Sequence, residues 1–416
     1  MSAMTSKFPI GFWNYQPIRT ITTDDVQTWA DCGITLTMSP NYDHNRPEDK
    51  AHMLEIMDAC ATRGIRLIVC DSRTFWAGAA ENPEGYRSRY REALADFGSH
   101  PAVAGFHIGD EPFKEQMDDV AAAVRIQREE APELLPFVNL LPTWDGGEAG
   151  YAGYKNYQEC LKDVEERVPL KLLCYDRYSQ MNPEEAGTED YFSDLKRFAE
   201  LAKTMDIPFW TTLLCVGHFR YRVPSYDDLR WQLSTALASG CQGILWFMFY
   251  LRTPHSNYRM APINQFNEKT ATYGALSQVL REFHAAYAPL FTRLTLKTCY
   301  HVGRAWGGYP SFADGCDENI LHAEAWHEID AIISIFHDEE GRKYAVIVNN
   351  TTTKSGQLAL TVCKKAGRMV RAGAFGGSDV FYAHHDEGCT DHGETFVYTP
   401  WLAPGQMNVY RFDPAE

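Results

Sequence analysis

Eight times between Ile10 and Tyr287 a short apolar run gives way to a stretch of helical spacing, and no other feature limits the fold so tightly. The runs are Ile10–Tyr15, Gly33–Met38, Gly64–Cys70, the stretch from Val103 to Asp110-Glu111-Pro112, Leu135–Leu141, Leu170–Tyr175, Ile207–Cys215 and Gly243–Tyr250. Near-continuous apolar runs of this length suit strands buried on both faces, as in a parallel sheet. Between them the apolar positions recur every three or four residues. Val26, Trp29 and Ala30 follow the helix start at Thr22-Thr23-Asp24-Asp25, and Met53, Leu54 and Met57 share a face between Pro47 and Arg63. Further helices are expected near 85–97, 117–130, 154–166 and 268–287. Thr188-Glu189-Asp190 opens another with Tyr191, Leu195, Phe198 and Ala202 on one side, and Ser225 with Asp228 has the pattern of a capping box ahead of Leu229, Leu233 and Ala236. Eight such units predict an α/β chain folded as a (β/α)8 TIM barrel. A doubly wound open sheet is the rival, but it would not ordinarily need eight regular units.

After Pro289 the texture changes. Ile332–Phe336, a turn at Asp338-Glu339-Glu340-Gly341, and Tyr344–Val348 read as a hairpin, with further strands at Leu358–Val362, Phe396–Tyr398 and Met407–Phe412. A chain of 416 residues exceeds a usual single domain. The expected division is a barrel over residues 1–293 and a small C-terminal antiparallel β-sandwich over 294–416.

The fourth run is the one around which the rest is organised. Val103-Ala104-Gly105-Phe106-His107-Ile108-Gly109 leads directly into two adjacent carboxylates, Asp110 and Glu111, and then Pro112. Ligands bind at the carboxyl ends of barrel strands. A carboxylate at such a buried place is costly unless it has a partner or a task. A helix cap at Asp110 and an arginine partner for Glu111 would be the structural explanation.

The other strand ends complete the candidate set: Trp13 and Asn14; Asn41 and Tyr42; Asp71 and Arg73; Asn139; Tyr175, Asp176 and Tyr178; Cys215 and His218; and Trp246 with Tyr250. No His-x-His pair follows the first strand, which argues against a metal hydrolase, and no metal is expected. No lysine ends a strand, which argues against a Schiff-base enzyme. The loops after the seventh and eighth runs lack the glycine clusters of a phosphate cradle, and no cofactor is expected. Rings and acids remain. Flat rings stack on pyranose faces, and two carboxylates flanking a glycosidic bond hydrolyse it.

His107 reads as a core histidine, while His218 lies in a loop where it could meet a ligand or solvent. Trp13 and Trp246 suit barrel packing as well as a sugar platform. Arg73 and Tyr178 could orient a carboxylate, and His255, Asn257 and Tyr258 could line a pocket after the eighth run. A Gly-rich loop through Trp144 and Gly150 follows the fifth.

A net charge of −16 argues against nucleic acid and anionic membrane surfaces as partners. No run is long enough to span a bilayer, and Met1–Lys7 lacks the apolar core of a signal peptide. Eleven scattered cysteines with no C-x-x-C pair suggest reduced thiols in a cytoplasmic protein rather than a disulfide framework. The expected partner is a small carbohydrate substrate, and a homo-oligomer is compatible with the sequence.

Gly109-Asp110-Glu111-Pro112 resembles the Asn-Glu-Pro that carries the acid/base in clan A glycoside hydrolases. Together with Asn139-Leu140-Leu141-Pro142, Tyr175-Asp176-Arg177-Tyr178, Leu229-Arg230-Trp231-Gln232 and Gly243-Ile244-Leu245-Trp246-Phe247, it is similar to β-galactosidase-like, family 42-like bacterial proteins over residues 100–290. The resemblance implies a retaining (β/α)8 glycosidase with Glu111 as acid/base. It departs at one place: clan A puts its nucleophilic Glu at the end of the seventh strand, where this chain has Leu213-Leu214-Cys215-Val216-Gly217-His218. Asp176 is then the preferred second carboxylate, although it could simply pair with Arg177; Asp71 and Asp110 stand behind it. Two further readings stay open. One is a carbohydrate-binding barrel that lost its nucleophile, and the other a lyase or transglycosylase using the same acids.

Overall fold

In the computed structural model of the chain, described over residues 7–143, 152–180, 187–251, 257–374, 379–382 and 388–414, the alternation read from the sequence is a (β/α)8 barrel. Its strands are β1 (Ile10–Phe12), β2 (Leu36–Tyr42), β3 (Arg66–Asp71), β4 (Val103–Asp110), β5 (Leu135–Asn139), β6 (Leu173–Asp176), β7 (Phe209–Leu214) and β8 (Ile244–Phe247). The helices that follow them in turn are α1 (Thr23–Cys32), α2 (Lys50–Thr62), α3 (Pro83–Ala93), α4 (Met117–Glu130), α5 (Tyr157–Arg167), α6 (Thr188–Met205), α7 (Tyr226–Ala238) and α8 (Ala271–Ala286).

Local chemistry sets several of these boundaries. Asp25 accepts the Thr22 N–H at 2.8 Å, closing a capping box on α1, and Asp228 accepts the Ser225 N–H at 2.8 Å in the box on α7. The fifth helix begins at Tyr157 rather than Tyr154 because the Asn156 side chain accepts the Glu159 N–H at 2.9 Å.

All strand pairs within the barrel are parallel, and they form two four-stranded arcs, β2-β3-β4-β5 and β1-β8-β7-β6. The arcs meet at two seams. At the β1–β2 seam threonine hydroxyls replace much of the backbone ladder. Thr35 Oγ1 accepts the Ile10 N–H at 2.9 Å and donates to the Phe8 carbonyl at 2.6 Å, while Thr37 Oγ1 accepts the Phe12 N–H at 2.9 Å. Gly11 is required here, since a Cβ would fall 2.0 Å from the Leu36 carbonyl oxygen. At the β5–β6 seam Leu140 N–H donates to the Cys174 carbonyl at 2.8 Å.

The C-terminal part is the expected antiparallel β-sandwich. One sheet has six strands in the order Asp379–Tyr382, Arg368–Ala374, Met407–Asp413, Lys343–Asn349, Ala331–His337 and Thr295–Val302. The other runs Ile320–Ala325, Gly356–Cys363, Thr395–Tyr398 and Cys389–Asp391, with Trp401–Leu402 beside Gly356–Cys363. Ile333, Ile347, Leu360, Phe396 and Tyr410 fill the space between them. Thr295–Val302 was not legible as a strand because its burial is irregular and its sequence mixes Thr, Lys and His with the apolar residues.

The chain divides into two compact units, residues 1–178, 197–219 and 243–273 in one and residues 179–196, 220–242 and 274–416 in the other. All eight barrel strands belong to the first.

Candidate active site

The site is assembled at the carboxyl ends of β4, β5 and β6, and a defect in β4 makes it. Phe106 meets Tyr90 of α3 edge-on at 5.5 Å, on the helix side of the sheet. His107 points the other way, towards Trp13 at 5.6 Å and Phe137 at 5.9 Å. Regular alternation would send Asp110 back to the helix side. The register against β5 slips between His107 and Gly109, so that His107 pairs with Phe137 and Asp110 with Asn139. Three steps along β4 match two along β5. The extra residue is a bulge, and it turns Asp110 onto the same inner face as His107. Gly109 accommodates it with φ +157°, where a Cβ would lie 2.2 Å from the Trp76 ring.

Glu111 leaves the strand in the left-handed region, φ 48°, an uncommon and strained conformation for a residue with a side chain. Its N–H donates to the Asn139 carbonyl at 2.9 Å. The Asn139 side chain then reaches both aspartates: Nδ2 donates to Asp110 Oδ1 at 3.1 Å and to Asp176 Oδ1 at 2.8 Å. Asp176 also bonds the Tyr178 hydroxyl and the Glu111 carboxyl. Glu111, Asp110 and Asp176 therefore form one cluster around an asparagine.

Three acids this close cannot all ionise at neutral pH. Burial, then the Asp176 and Asp110 charges, push the Glu111 carboxyl up to about 8. Burial and the Asp176 charge raise Asp110 to about 7, against the pull of the Asn139 amide. Burial also raises Asp176, while its bonds from Asn139, Tyr178 and Glu111 favour its charged form. Both carboxyls are raised, Glu111 by burial and by its acidic neighbours and Asp176 by burial, and the bonds that favour a charged form gather on Asp176. Burial also places the Tyr178 hydroxyl well above its ordinary range.

An aromatic wall stands beside the acids. Tyr178 lies 5.6 Å from Phe247 and 5.8 Å, edge-on, from His218; His218 stacks on Tyr258 at 5.4 Å; Tyr15 meets Phe247 edge-on at 6.1 Å. Burial lowers His218 to about 4, so it is a neutral ring at pH 7. Phe247 and Tyr15 were missed from the sequence. Phe247 was within reach of a one-residue shift: Gly243 faces Trp210, whose ring lies 6.4 Å from Phe137 inside the barrel, so alternation puts Phe247 inside and Trp246 on the opposite face.

The remaining candidates fall into three groups. Trp13 and Asn14 are inside the barrel near this wall. Trp13 Nε1 donates to Thr212 Oγ1 at 3.1 Å, and Asn14 Oδ1 accepts the Gln16 N–H at 3.1 Å. Asp71 and Arg73 belong to a structural ion pair: Arg73 Nη2 lies 2.7 Å from Asp71 and Nη1 2.8 Å from Asp96, which also takes Lys50 at 2.5 Å. Tyr175, Trp246 and Tyr250 are not brought to the acids. The Tyr175 ring lies on Phe198 of α6, Trp246 is fully buried on the far face of β8, and the Tyr250 hydroxyl joins Trp29 Nε1 to Asp25 of α1 at 2.7 and 2.9 Å. Arg177 Nη1 donates to the Thr143 carbonyl. Asn257 accepts the Phe219 N–H at 2.8 Å, while His255, Trp144 and Gly150 lie outside the described residues.

A cavity of about 720 Å³ opens at the ends of β2 and β3, lined among others by Tyr42, Asp43, Arg46, Asp71, Phe75 and His107. Its volume is in the range of small-molecule sites. Among the described residues no group of three or more His, Cys, Asp or Glu side chains is disposed to hold a metal ion, and no helix is long and apolar enough to cross a membrane.

No family model and no curated protein matches the chain. Solved structures do. A family 5 glycoside hydrolase from Bacteroides vulgatus superposes with a TM-score of 0.55 at 12% identity, over 98% of this chain and 89% of that one. A family 39 glycoside hydrolase from the gut symbiont Bacteroides cellulosilyticus does so with a TM-score of 0.52 at 12% identity, over 98% and 81%. At this identity the likeness shows the shared fold.

Proposed function

We propose that the chain is a glycoside hydrolase of the clan A type in which Glu111 is the general acid/base and Asp176 the second carboxylate. The observation that carries the reading is the cluster itself, Glu111 and Asp176 with Asp110 around the Asn139 amide, beside a ring wall of Tyr178, His218 and Phe247. Two carboxyl groups whose surroundings push their proton affinities apart are how one site runs acid and base chemistry at neutral pH. The structural neighbours, glycoside hydrolases of families 5 and 39, support the same class. The likeness to family 42-like proteins rests on the sequence pieces around Glu111 and Asp176.

In this reading Glu111 protonates the departing glycosidic oxygen as its bond to the anomeric carbon breaks, and the Asp176 charge stabilises the positive character that develops on the sugar ring. A solvent water adds to the anomeric carbon and gives up a proton to the carboxylates. Tyr178 and Asn139 hold Asp176 in its charged form. The substrate class is a small glycoside or oligosaccharide.

A second reading has its own observation. The seventh strand ends at Leu214-Cys215, with no acid where clan A keeps one, which favours a barrel that binds sugar without cleaving it. A panel of nitrophenyl glycosides separates the two. Turnover that falls in Glu111→Gln supports hydrolysis; saturable binding of glycosides with no turnover would support the binding protein and overturn the first reading.

A further inference from the structure

We propose that Asn139 is a positioning residue that decides which member of the carboxyl cluster carries the shared proton, making Asp176 the anion and Glu111 the acid. The inference deepens the functional reading, but its geometry stands independently of any reaction.

One amide nitrogen has two N–H groups, and both are committed to carboxylate oxygens, Asp110 at 3.1 Å and Asp176 at 2.8 Å. An N–H can only donate, so each bond favours the ionised carboxylate at its far end. The same residue's carbonyl accepts the Glu111 N–H, which holds Glu111 in its left-handed turn but offers nothing to its carboxyl. The donors are therefore unequal across the cluster. Asp176 bonds Asn139, Tyr178 and the Glu111 carboxyl; Asp110 receives Asn139; among the described residues no Asn, Tyr or other neutral side-chain donor is seen on Glu111.

The amide cannot turn over without loss. Exchanging its oxygen and nitrogen would break both bonds and set a carbonyl dipole against two acids. In the observed orientation Asn139 Oδ1 is buried and has no hydrogen-bond partner among the described residues. Leaving such an atom unbonded has a cost, and the two charge-assisted bonds at Nδ2 offset it. The other titratable groups facing the cluster are Tyr178 and Tyr15, with His218 edge-on to Tyr178. None of them donates to both aspartates.

The test is carboxyl titration by NMR with 13C-labelled Asp and Glu, each signal assigned by its disappearance in Asp110→Asn, Glu111→Gln or Asp176→Asn. In the unaltered protein Asp176 should ionise first and Glu111 last. In Asn139→Leu the Asp110 and Asp176 steps should move up by about one pH unit or more, since each loses a charge-assisted donor. In Tyr178→Phe the Asp176 step should move and the Asp110 step should stay. Asp176 ionising last in the unaltered protein would overturn the proposal, and so would a folded Asn139→Leu protein with unmoved steps. If Asn139→Leu does not fold, the order in the unaltered protein still decides. The result is separable from hydrolysis, because the order can be read whether or not any glycoside is turned over.

Discussion

The rings of Tyr175 and Phe198 lie with their centroids 3.8 Å apart and their planes 5° from parallel. Because neighbouring residues of a strand face opposite ways, this stack on α6 is also what sends Asp176 inward to Asn139. A packing contact on one side of β6 thereby fixes the chemistry on the other.

Phe198→Ala should cost about 3–5 kcal/mol of stability, as large aromatic truncations in cores do. A double-mutant cycle with Tyr175→Leu should show about 0.5–1.5 kcal/mol of coupling from the stacked rings. Denaturant melts of the four proteins measure both. Additive losses would mean the stack contributes area and no more.

Glu111→Gln should fold as the parent does and lose about 10²–10⁴-fold in turnover of nitrophenyl or natural glycosides with poor leaving groups, the usual contribution of a proton donor. Loss should be smaller with leaving groups that need no proton. Undiminished rates on a poor leaving group would remove Glu111 from the reaction.

The pH dependence of stability has a definite sign. Glu111 rises from an ordinary 4.5 to about 8 and Asp110 from 3.8 to about 7, so the folded state binds protons more tightly than the unfolded chain. Their contribution is fully present below pH 3.8–4.5 and is lost as pH climbs through 7 and 8. Glu111→Gln should therefore flatten the decline in unfolding free energy across that window. An unchanged slope in chemical melts from pH 5 to 9 would contradict it. Turnover that needs protonated Glu111 should fall over the same upper limb, near pH 8.

Arg73→Ala should destabilise the barrel by about 3–5 kcal/mol, because it strands the fully buried Asp71 side chain. Asp71→Asn in the same chain should recover part of this loss. Equal stability of the single and double variants would show that the pair is not an isolated unit. Lys50 and Asp96 extend it at 2.5 and 2.8 Å, so neighbouring bonds set the size of the recovery.

Thr35→Val removes a hydroxyl that serves the Ile10 N–H and the Phe8 carbonyl at once. Leaving either group buried and unbonded costs about 1–3 kcal/mol. A thermal melt unchanged from the parent would mean that the β1–β2 seam finds other partners.

The barrel was legible because its strands are apolar on both faces and its helices are separated by clear breaks, so period alone distinguished them. Glu111 and Asp176 were legible because both close an apolar run. What escaped was anything that depends on register. The β4 bulge leaves no mark on period, yet it decides that Asp110 faces in. Trp246 stood among the strand-end candidates, while alternation from Gly243 puts Phe247 inside. Tyr250 sat at a strand end in the sequence, but β8 stops at Phe247, and the following turn carries Tyr250 to Trp29 and Asp25. Asp71 and Arg73 showed the right residue types in the right place, while their mutual bond, two residues apart, and the further bond to Asp96 were beyond what strand ends reveal.

The two arcs of the barrel share few backbone bonds where β5 meets β6, and Asn139 and Asp176 stand on opposite sides of that joint. The amide bond between them is thus a rivet as well as an electrostatic device. Amide protons along this joint should exchange with solvent sooner than those inside either arc, because local opening starts where the ladder is thinnest. Each such breath draws the asparagine away from the aspartate and unsettles the acid beside it. One of the two seams of this barrel thus runs through the cluster of acids, and whatever clamps that joint shut also acts on the acids.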